Sequence, residues 1–187
     1  PFLCVGKNRI EAVAIYQGGS GQNFVDGKPG FFCQTHIKIG KKHVCIATGE
    51  DWLSSGSTSY ESGMPYQQNR RITAVEHFDN RNAAEWTPAV CVTGPCAVNT
   101  LRLQSIPEGV VERIITPRCL HQEDGLAVYD TGCIASGWVK VRISEECGTK
   151  ICVRYSENLD GNGRVGHNVA NETSENYCDY YTVGNGD

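Results

Sequence analysis

The residues of this sequence whose side chains are best suited to metal binding, redox chemistry or catalysis are its cysteines and histidines. Cys33, His36, His43 and Cys45 have the side-chain types and the close spacing that a zinc site uses. They lie in FFCQTHIKIGKKHVCIATG, where two β-rich runs flank a two-residue turn at residues 40–41. Strand alternation then places Cys33 on one face of the hairpin and the other three residues on the opposite face. Because ligands on opposite faces cannot enclose one ion, we predict no metal ion and no other cofactor.

Disulfides are the alternative chemistry for the cysteines, and the composition favours them. The chain has 187 residues, and ten of them are cysteine. Ten thiols would be a liability in a reducing compartment, so the count predicts a secreted, extracellular protein with disulfides. The sequence does not set the pairing, although it favours a bond that closes the turn between Cys147 and Cys152. We predict that the half-cystines are Cys4, Cys33, Cys45, Cys91, Cys96, Cys119, Cys133, Cys147, Cys152 and Cys178.

Two short fragments place a histidine beside carboxylates, as general acid–base catalysis requires. They are EHFD, which contains His77, and HQED, which contains His121. The same composition is common in polar loops, and the chain has no nucleophile elbow, no His-Glu-x-x-His motif and no phosphate-binding loop. We assign no catalytic residue and favour a non-enzymatic protein. A small secreted hydrolase, either a glycosidase or a ribonuclease, is the alternative, since glycosidase carboxylates can be far apart in sequence.

The stretch SENLDGNGRVGHN is similar to the beginning of a calcium-binding loop. Read from Asn158 it runs N-x-D-x-N-G, as such a loop does. The twelfth position, where a bidentate glutamate belongs, is Val169, and the preceding KICVRYSE predicts a strand rather than a helix. The two Xaa-Gly dipeptides at residues 160–163 are typical of tight turns. We therefore interpret the stretch as a glycine-rich turn.

One helix and many strands are expected to position these residues. NRIEAVAIYQGG predicts a helix, with Asn8 as N-cap, Glu11 completing a capping box and Gly18 ending the helix. A hairpin follows at residues 31–49, and then a loop rich in Ser and Gly at residues 51–68. Further runs predict strands at residues 70–78, 84–98, 100–116, 125–130, 137–144, 150–157 and 177–183.

This order of elements indicates a mainly β (α+β) fold with two disulfide-rich modules. Residues 1–104 are predicted to form an N-terminal α+β module, which contains the helix and a small antiparallel sheet. Residues 105–187 are predicted to form a C-terminal β-sandwich. The division leaves five cysteines in each module, so complete pairing would require a bridge between the two.

The charge pattern excludes two classes of partner. Lys and Arg number 17 against 21 Asp and Glu, which gives a net charge of −4 without a basic stripe. This predicts no nucleic acid partner and no membrane partner, and no apolar run approaches the ~18 residues of a bilayer span. Asn171 heads a glycosylation sequon, and the chain begins at Pro1, both of which fit a secreted and processed protein. We expect a monomer.

Aromatic residues cluster in two segments that could recognise a partner. They are Trp52, Tyr60, Tyr66, Tyr177, Tyr180 and Tyr181. Aromatic side chains on loops suit protein or carbohydrate recognition, and packing in a core is the equal alternative. This pattern keeps a lectin or a protease inhibitor as a further alternative function.

The order of features resembles a family of pathogen proteins. The segment PFLCVGKNRIEAVAIYQ, with a helix after the first cysteine, and the total length are similar to the dual-domain effectors that Fusarium wilt fungi secrete into plant xylem. The cysteine series that carries the resemblance is Cys4, Cys33, Cys45, Cys91 and Cys96. The resemblance covers the whole chain and depends on architecture and cysteine order.

The resemblance implies a virulence protein that binds host plant proteins. A plant immune receptor would recognise some members of this family, which makes them avirulence proteins. It also implies two packed modules, a cleaved pro-segment, and action in the plant xylem or apoplast, with entry into host cells left open. No catalytic residue comes with the resemblance.

Overall fold

The protein is built of short strands. The computed structural model describes residues 3–16, 18, 27–64, 75–92, 105–165 and 178–185. These ranges contain nine strands and no helix, which confirms the prediction of a mainly β protein. The strands are β1 (Gln34–Ile39), β2 (Lys42–Ala47), β3 (Leu53–Ser54), β4 (His77–Asp79), β5 (Thr87–Pro88), β6 (Arg118–Glu123), β7 (Leu126–Asp130), β8 (Lys150–Arg154) and β9 (Cys178–Thr182). None of the described segments is a helix that could cross a membrane.

The β1–β2 hairpin forms as its residue alternation predicts. The two strands are antiparallel around a two-residue turn, with Ile39 opposite Lys42 and Ile37 opposite Val44. Gly40 in the turn has a φ of 59°, a left-handed conformation that glycine adopts without a steric penalty. Successive residues alternate between exposed and half-buried in the centre of both strands, and Ile37, Val44 and Ile46 are half-buried. The predicted register and the predicted apolar face are therefore confirmed.

A three-stranded sheet in the order β4–β9–β8 contains most of the buried residues. The central strand, β9, is parallel to β4 and antiparallel to β8. The buried apolar residues in or next to this sheet are Val75, Cys178 and Val183. The buried polar residues are His77, Asp79 and Thr182, and all three lie on β4 or β9. This sheet therefore combines a small apolar core with a buried polar network.

Two more pairs of strands complete the described structure. β6 and β7 form an antiparallel hairpin around Asp124 and Gly125, and Gly125 has a φ of 74°. The register shifts between Cys119 and His121, where β6 has a bulge. β3 and β5 are antiparallel and two residues long. The sequence analysis did not predict β6, although Asp-Gly between two runs is a strong hairpin signal.

The chain divides into two compact units. The first comprises Pro1–Ser54 and Trp86–Thr93, and the second comprises Ser55–Glu85 and Gly94–Asp187. The predicted module boundary follows residue 104, which lies outside the described ranges, so that boundary stays a prediction. The three-stranded sheet takes β4 from before residue 104 and its other two strands from after it.

The predicted N-terminal helix is wrong, because no helical turn forms in NRIEAVAIY. Asn8, the predicted N-cap, forms hydrogen bonds with a residue that precedes it in the chain. Its Nδ2 donates to Cys4 O, and its Oδ1 accepts from Cys4 N, both over 2.9 Å. Glu11 pairs with Arg9 rather than completing a capping box. An isolated helix of this length is marginal in water. Val13 stays 68% exposed, so tertiary packing does not supply the missing stability.

The predicted C-terminal β-sandwich is also wrong for the described part of residues 105–187. β6 and β7 form a separate two-stranded sheet, whereas β8 and β9 belong to the sheet that β4 completes. Residues 105–117 and 131–149 contain no strand, although strands are predicted at 100–116 and 137–144. Their apolar residues alternate, but a strand also needs a neighbour that satisfies its backbone groups. The remaining strand predictions are confirmed in part by β4, β5, β7, β8 and β9.

Candidate functional site

A short loop brings a carboxylate next to β4. The backbone N–H of Glu61 donates to His77 O over 2.8 Å. The Tyr60 ring packs edge-on against the Phe78 ring, with 5.0 Å between the ring centroids. Backbone pairing and ring packing together hold this loop along the strand, and so they fix the position of the Glu61 side chain.

His77 lies between that carboxylate and a hydroxyl group. Its Nδ1 contacts Glu61 Oε2, and its Nε2 is 3.0 Å from Thr182 Oγ1. The residue is 8% exposed, and its ring meets the edge of the Tyr180 ring at a centroid distance of 5.8 Å. Nε2 therefore shares a hydrogen bond with the Thr182 hydroxyl, whereas Nδ1 touches the Glu61 carboxylate without forming a hydrogen bond of regular geometry.

The series of carboxylate, imidazole and hydroxyl has the order of a catalytic triad. Thr182 is 4% exposed, however, and it lies on the central strand of the sheet. A nucleophile must reach the carbon atom that it attacks, and this hydroxyl faces the interior. The arrangement therefore acts as a polar clamp, by which we mean the Glu61–His77–Thr182 contacts that join the loop, β4 and β9.

Asp79 at the end of β4 has partners of its own. Its Oδ2 accepts from Arg81 Nη2 over 2.7 Å, and its Oδ1 accepts from Arg81 Nε over 2.9 Å. The backbone N–H of Arg81 also donates to Oδ1 over 3.0 Å. These hydrogen bonds are the main reason why the pKa of the Asp79 carboxyl falls to about 2. The EHFD fragment thus divides between two networks, since His77 does not bond to Asp79.

The Asp79–Arg81 pair predicts an acid-sensitive contribution to stability. The pKa of Asp79 is lower in the folded protein than the value of about 3.9 for an unfolded chain. The stabilisation is therefore fully present above about pH 4 and is lost as the pH falls towards 2. The urea midpoint of the wild type should exceed that of Asp79→Asn at pH 6, and the difference should shrink below pH 4. Arg81→Gln should reproduce this pattern, whereas a difference that stays constant down to pH 2 would contradict it.

A second polar cluster joins the β6–β7 hairpin to the glycine-rich turn. His121 Nε2 is 3.1 Å from Glu123 Oε1, and Arg164 Nη2 is 3.8 Å from Glu123 Oε2. All three side chains are between 42% and 58% exposed. We call these residues the His121–Glu123–Arg164 cluster. It presents a carboxylate flanked by two nitrogen donors to solvent, which is an arrangement that can bind hydroxyl groups.

The turn that carries Arg164 is organised by one carboxylate. Asp160 Oδ1 accepts from the backbone N–H groups of Asn162 and Arg164, both over 2.9 Å. Leu159 and Val165 form an antiparallel bridge that closes the turn. These contacts agree with the interpretation of SENLDGNGRVGHN as a glycine-rich turn. They also hold the base of the Arg164 side chain in place.

The structure describes nine of the ten predicted half-cystines, and it separates two of them. Cys33 and Cys45 lie on opposite faces of the β1–β2 hairpin, as the register requires. Cys152 and Cys178 lie on neighbouring strands of the three-stranded sheet. Cys96 and the sequon at Asn171 lie outside the described residues. Disulfide formation stays a prediction at all ten positions, which include Cys4, Cys91, Cys119, Cys133 and Cys147.

Metal ligands do not converge in the part of the chain that the structure describes. No group of three or more His, Cys, Asp or Glu side chains is placed there to hold an ion. His36 and His43 lie on the polar face of the hairpin with Cys45, and Gln34 Nε2 donates to Cys45 Sγ over 3.4 Å.

The comparison with known protein families concerns the second half of the chain. Residues 120–187 match the family model of the bacterial alpha-L-rhamnosidase concanavalin-like domain. The match covers a little over a third of the chain. It includes the His121–Glu123–Arg164 cluster, β7, β8 and β9, whereas Glu61 and His77 lie outside it. No curated protein and no solved structure matches the chain.

Proposed function

We propose that this is a secreted carbohydrate-recognition protein whose C-terminal third binds glycans that contain L-rhamnose. The observation that carries the proposal is the match of residues 120–187 to the concanavalin-like domain of bacterial alpha-L-rhamnosidases. The description of that family names a sugar, so L-rhamnose is the first ligand to test. Of the functions that the sequence left open, this proposal selects the lectin.

The chemistry of the His121–Glu123–Arg164 cluster supports the proposal. A sugar hydroxyl both donates and accepts hydrogen bonds, so its site needs an acceptor and a donor side by side. Glu123 supplies two acceptor oxygens, and Arg164 supplies N–H donors 3.8 Å away. The hairpin fixes the backbone of the first residue and the closed turn fixes the backbone of the second, so only the two side chains have to be ordered when a ligand binds.

The proposal predicts saturable binding of a rhamnoside. Calorimetric titration of the full chain with methyl α-L-rhamnoside should give a measurable Kd, and methyl α-D-mannoside should bind at least about tenfold more weakly, which corresponds to about 1.4 kcal/mol. Glu123→Gln removes the charged acceptor and should weaken rhamnoside binding by about tenfold or more. Glu145→Gln is the matched control, because Glu145 is exposed and lies in the same matched segment.

Three outcomes would reject this function or the site assigned to it. Absence of binding to any rhamnose-terminated glycan on an array would reject the ligand class. Binding that survives Glu123→Gln unchanged would keep carbohydrate recognition but would reject the cluster as its site. Release of free rhamnose during the titration would point instead to a glycosidase.

The second candidate is a secreted effector that binds host plant proteins and that an immune receptor recognises. The cysteine content and the order of Cys4, Cys33, Cys45 and Cys91 favour it. The helix that forms part of the resemblance is absent from the described residues, so the cysteine layout alone supports this candidate. A necrotic or immune response of a host leaf to the purified protein, without glycan binding, would favour the effector over the lectin.

A further inference from the structure

Cys152 and Cys178 lie on the same face of the β8–β9 pair. Cys152 is opposite Tyr180, and Arg154 is opposite Cys178. Residues that are directly opposite in an antiparallel pair point to one face, and so do residues two apart on a strand. The four side chains are therefore neighbours, although Cys152 and Cys178 are 26 positions apart in the sequence.

The Cys178 side chain points towards Tyr180, the residue opposite Cys152. Cys178 Sγ donates to Tyr180 Oη over 3.3 Å, and Cys152 is among the groups that raise the pKa of the Cys178 thiol. Diagonal neighbours across antiparallel strands are usually about 7–8 Å apart, whereas the Cβ atoms of a disulfide are about 4 Å apart. The register makes the two cysteines diagonal neighbours on one face, and the Cys178 thiol leans along that face towards Tyr180, so the two sulfur atoms can approach each other.

The two cysteines differ in their exposure to solvent. Cys178 is 0% exposed, and burial is the main reason why the pKa of its thiol is raised. Cys152 is exposed, and its sulfur hydrogen-bonds to the Arg154 side chain, which raises the pKa of that guanidinium. A reagent from solvent therefore meets Cys152 first, because the Cys178 thiol is buried.

We propose that Cys152 and Cys178 form a disulfide across β8 and β9, and that Cys152 is the residue at which this bond is made and opened. The Cys152 thiolate attacks a small-molecule disulfide such as oxidised glutathione, forms a mixed disulfide and releases one glutathione thiolate. Cys178 then loses its proton to solvent, attacks the Cys152 sulfur and releases the second glutathione thiolate. Two protein thiols are oxidised, and one external disulfide is reduced to two thiols.

This pairing competes with the bond between Cys147 and Cys152 that the sequence favours. Cys147 precedes β8 and lies outside the paired residues of β8 and β9. The proposal does not depend on the carbohydrate function, so failure of the rhamnoside titration leaves it intact.

Peptide mapping without reduction tests the pairing directly. Trypsin places Cys152 on ICVR, Cys147 on ISEECGTK and Cys178 on the peptide that begins at Val165. The protein is equilibrated with oxidised and reduced glutathione, its free thiols are alkylated, and any N-glycan is removed before digestion. We expect ICVR linked to the peptide that begins at Val165. A link between ICVR and ISEECGTK, or ICVR recovered fully alkylated, would overturn the proposal, and neither readout depends on a variant that folds.

Mixed disulfides test which cysteine reacts first. With oxidised glutathione, the variant Cys178→Ser should accumulate glutathione on Cys152. The variant Cys152→Ser should carry about tenfold less glutathione on Cys178, because that thiol is buried. Cys133→Ser is the control, since Cys133 is exposed and distant in sequence, and it should keep the ICVR cross-link. Equal glutathione on Cys152 and Cys178 in the two test variants would overturn the assigned order.

Discussion

Replacement of His77 by alanine is expected to lower the free energy of unfolding by about 2–4 kcal/mol. The substitution removes a buried imidazole together with its contacts to Glu61 Oε2 and Thr182 Oγ1. It also leaves the Thr182 hydroxyl buried and without its imidazole partner, which adds a desolvation penalty. Since domains are stable by only about 5–15 kcal/mol, this is a large part of the total. Urea denaturation followed by fluorescence would measure the change.

An exposed histidine provides the control for this prediction. His36 lies on the polar face of the β1–β2 hairpin, and His36→Ala should change the stability by less than about 0.5 kcal/mol. Thr182→Val should couple with His77→Ala by about 1 kcal/mol in a double-mutant cycle, because the two residues share one hydrogen bond. Additive changes in the free energy of unfolding would show that His77 and Thr182 do not interact in the polar clamp. Equal effects of His77→Ala and His36→Ala would contradict the burial of His77.

Gly184→Ala is expected to destabilise the three-stranded sheet by about 1–3 kcal/mol. A Cβ atom built at this position lies 2.6 Å from the backbone oxygen of Asn80 and 3.0 Å from its carbonyl carbon. Backbone atoms cannot move aside as a flexible side chain can. Asn80 is also tied to β9, because its N–H donates to Thr182 O over 3.0 Å. Relief of the clash must therefore shift the junction between β4 and β9.

Gly137→Ala and Gly161→Ala are matched controls for this substitution. A Cβ atom at either position meets nothing within 4 Å, and neither glycine has a φ in the left-handed region. Both variants should stay within about 0.5 kcal/mol of the wild type in the same urea titration. If Gly184→Ala fell in that range as well, the close approach of Asn80 to Gly184 would be wrong.

Local features of the fold could be predicted from the sequence. The register of β1 and β2 follows from alternation around Gly40, because a shift by one residue would exchange the apolar and polar faces. The turn at residues 158–165 follows from its Xaa-Gly dipeptides. In both cases the determining contacts lie a few residues apart, within the range over which side-chain pattern and turn chemistry act.

The features that could not be predicted from the sequence depend on contacts between residues that are far apart in the chain. The residues from Asn8 to Tyr16 have a helical pattern, but a helix of this length needs a packing surface, and the sequence does not show whether one exists. His77 was recognised as a candidate, yet its partner Thr182 lies 105 positions away, and no local spacing links the two. Glu123 and Arg164 are also far apart in the sequence. The β6–β7 hairpin and the glycine-rich turn bring the two side chains together.

The position of β9 in the sheet has a consequence for how the protein folds. β9 is the central strand, but about one hundred residues separate it from β4, and β4 has no other partner strand among the described residues. Closing a flexible loop of that length costs about 4 kcal/mol of chain entropy before any contact compensates. During synthesis β4 can therefore pair with the loop at residues 59–61, but it lacks its partner strand until residues 178–182 leave the ribosome. We expect this long-range pairing to slow folding, because β4 and β8 are held in one sheet only after β9 has joined them.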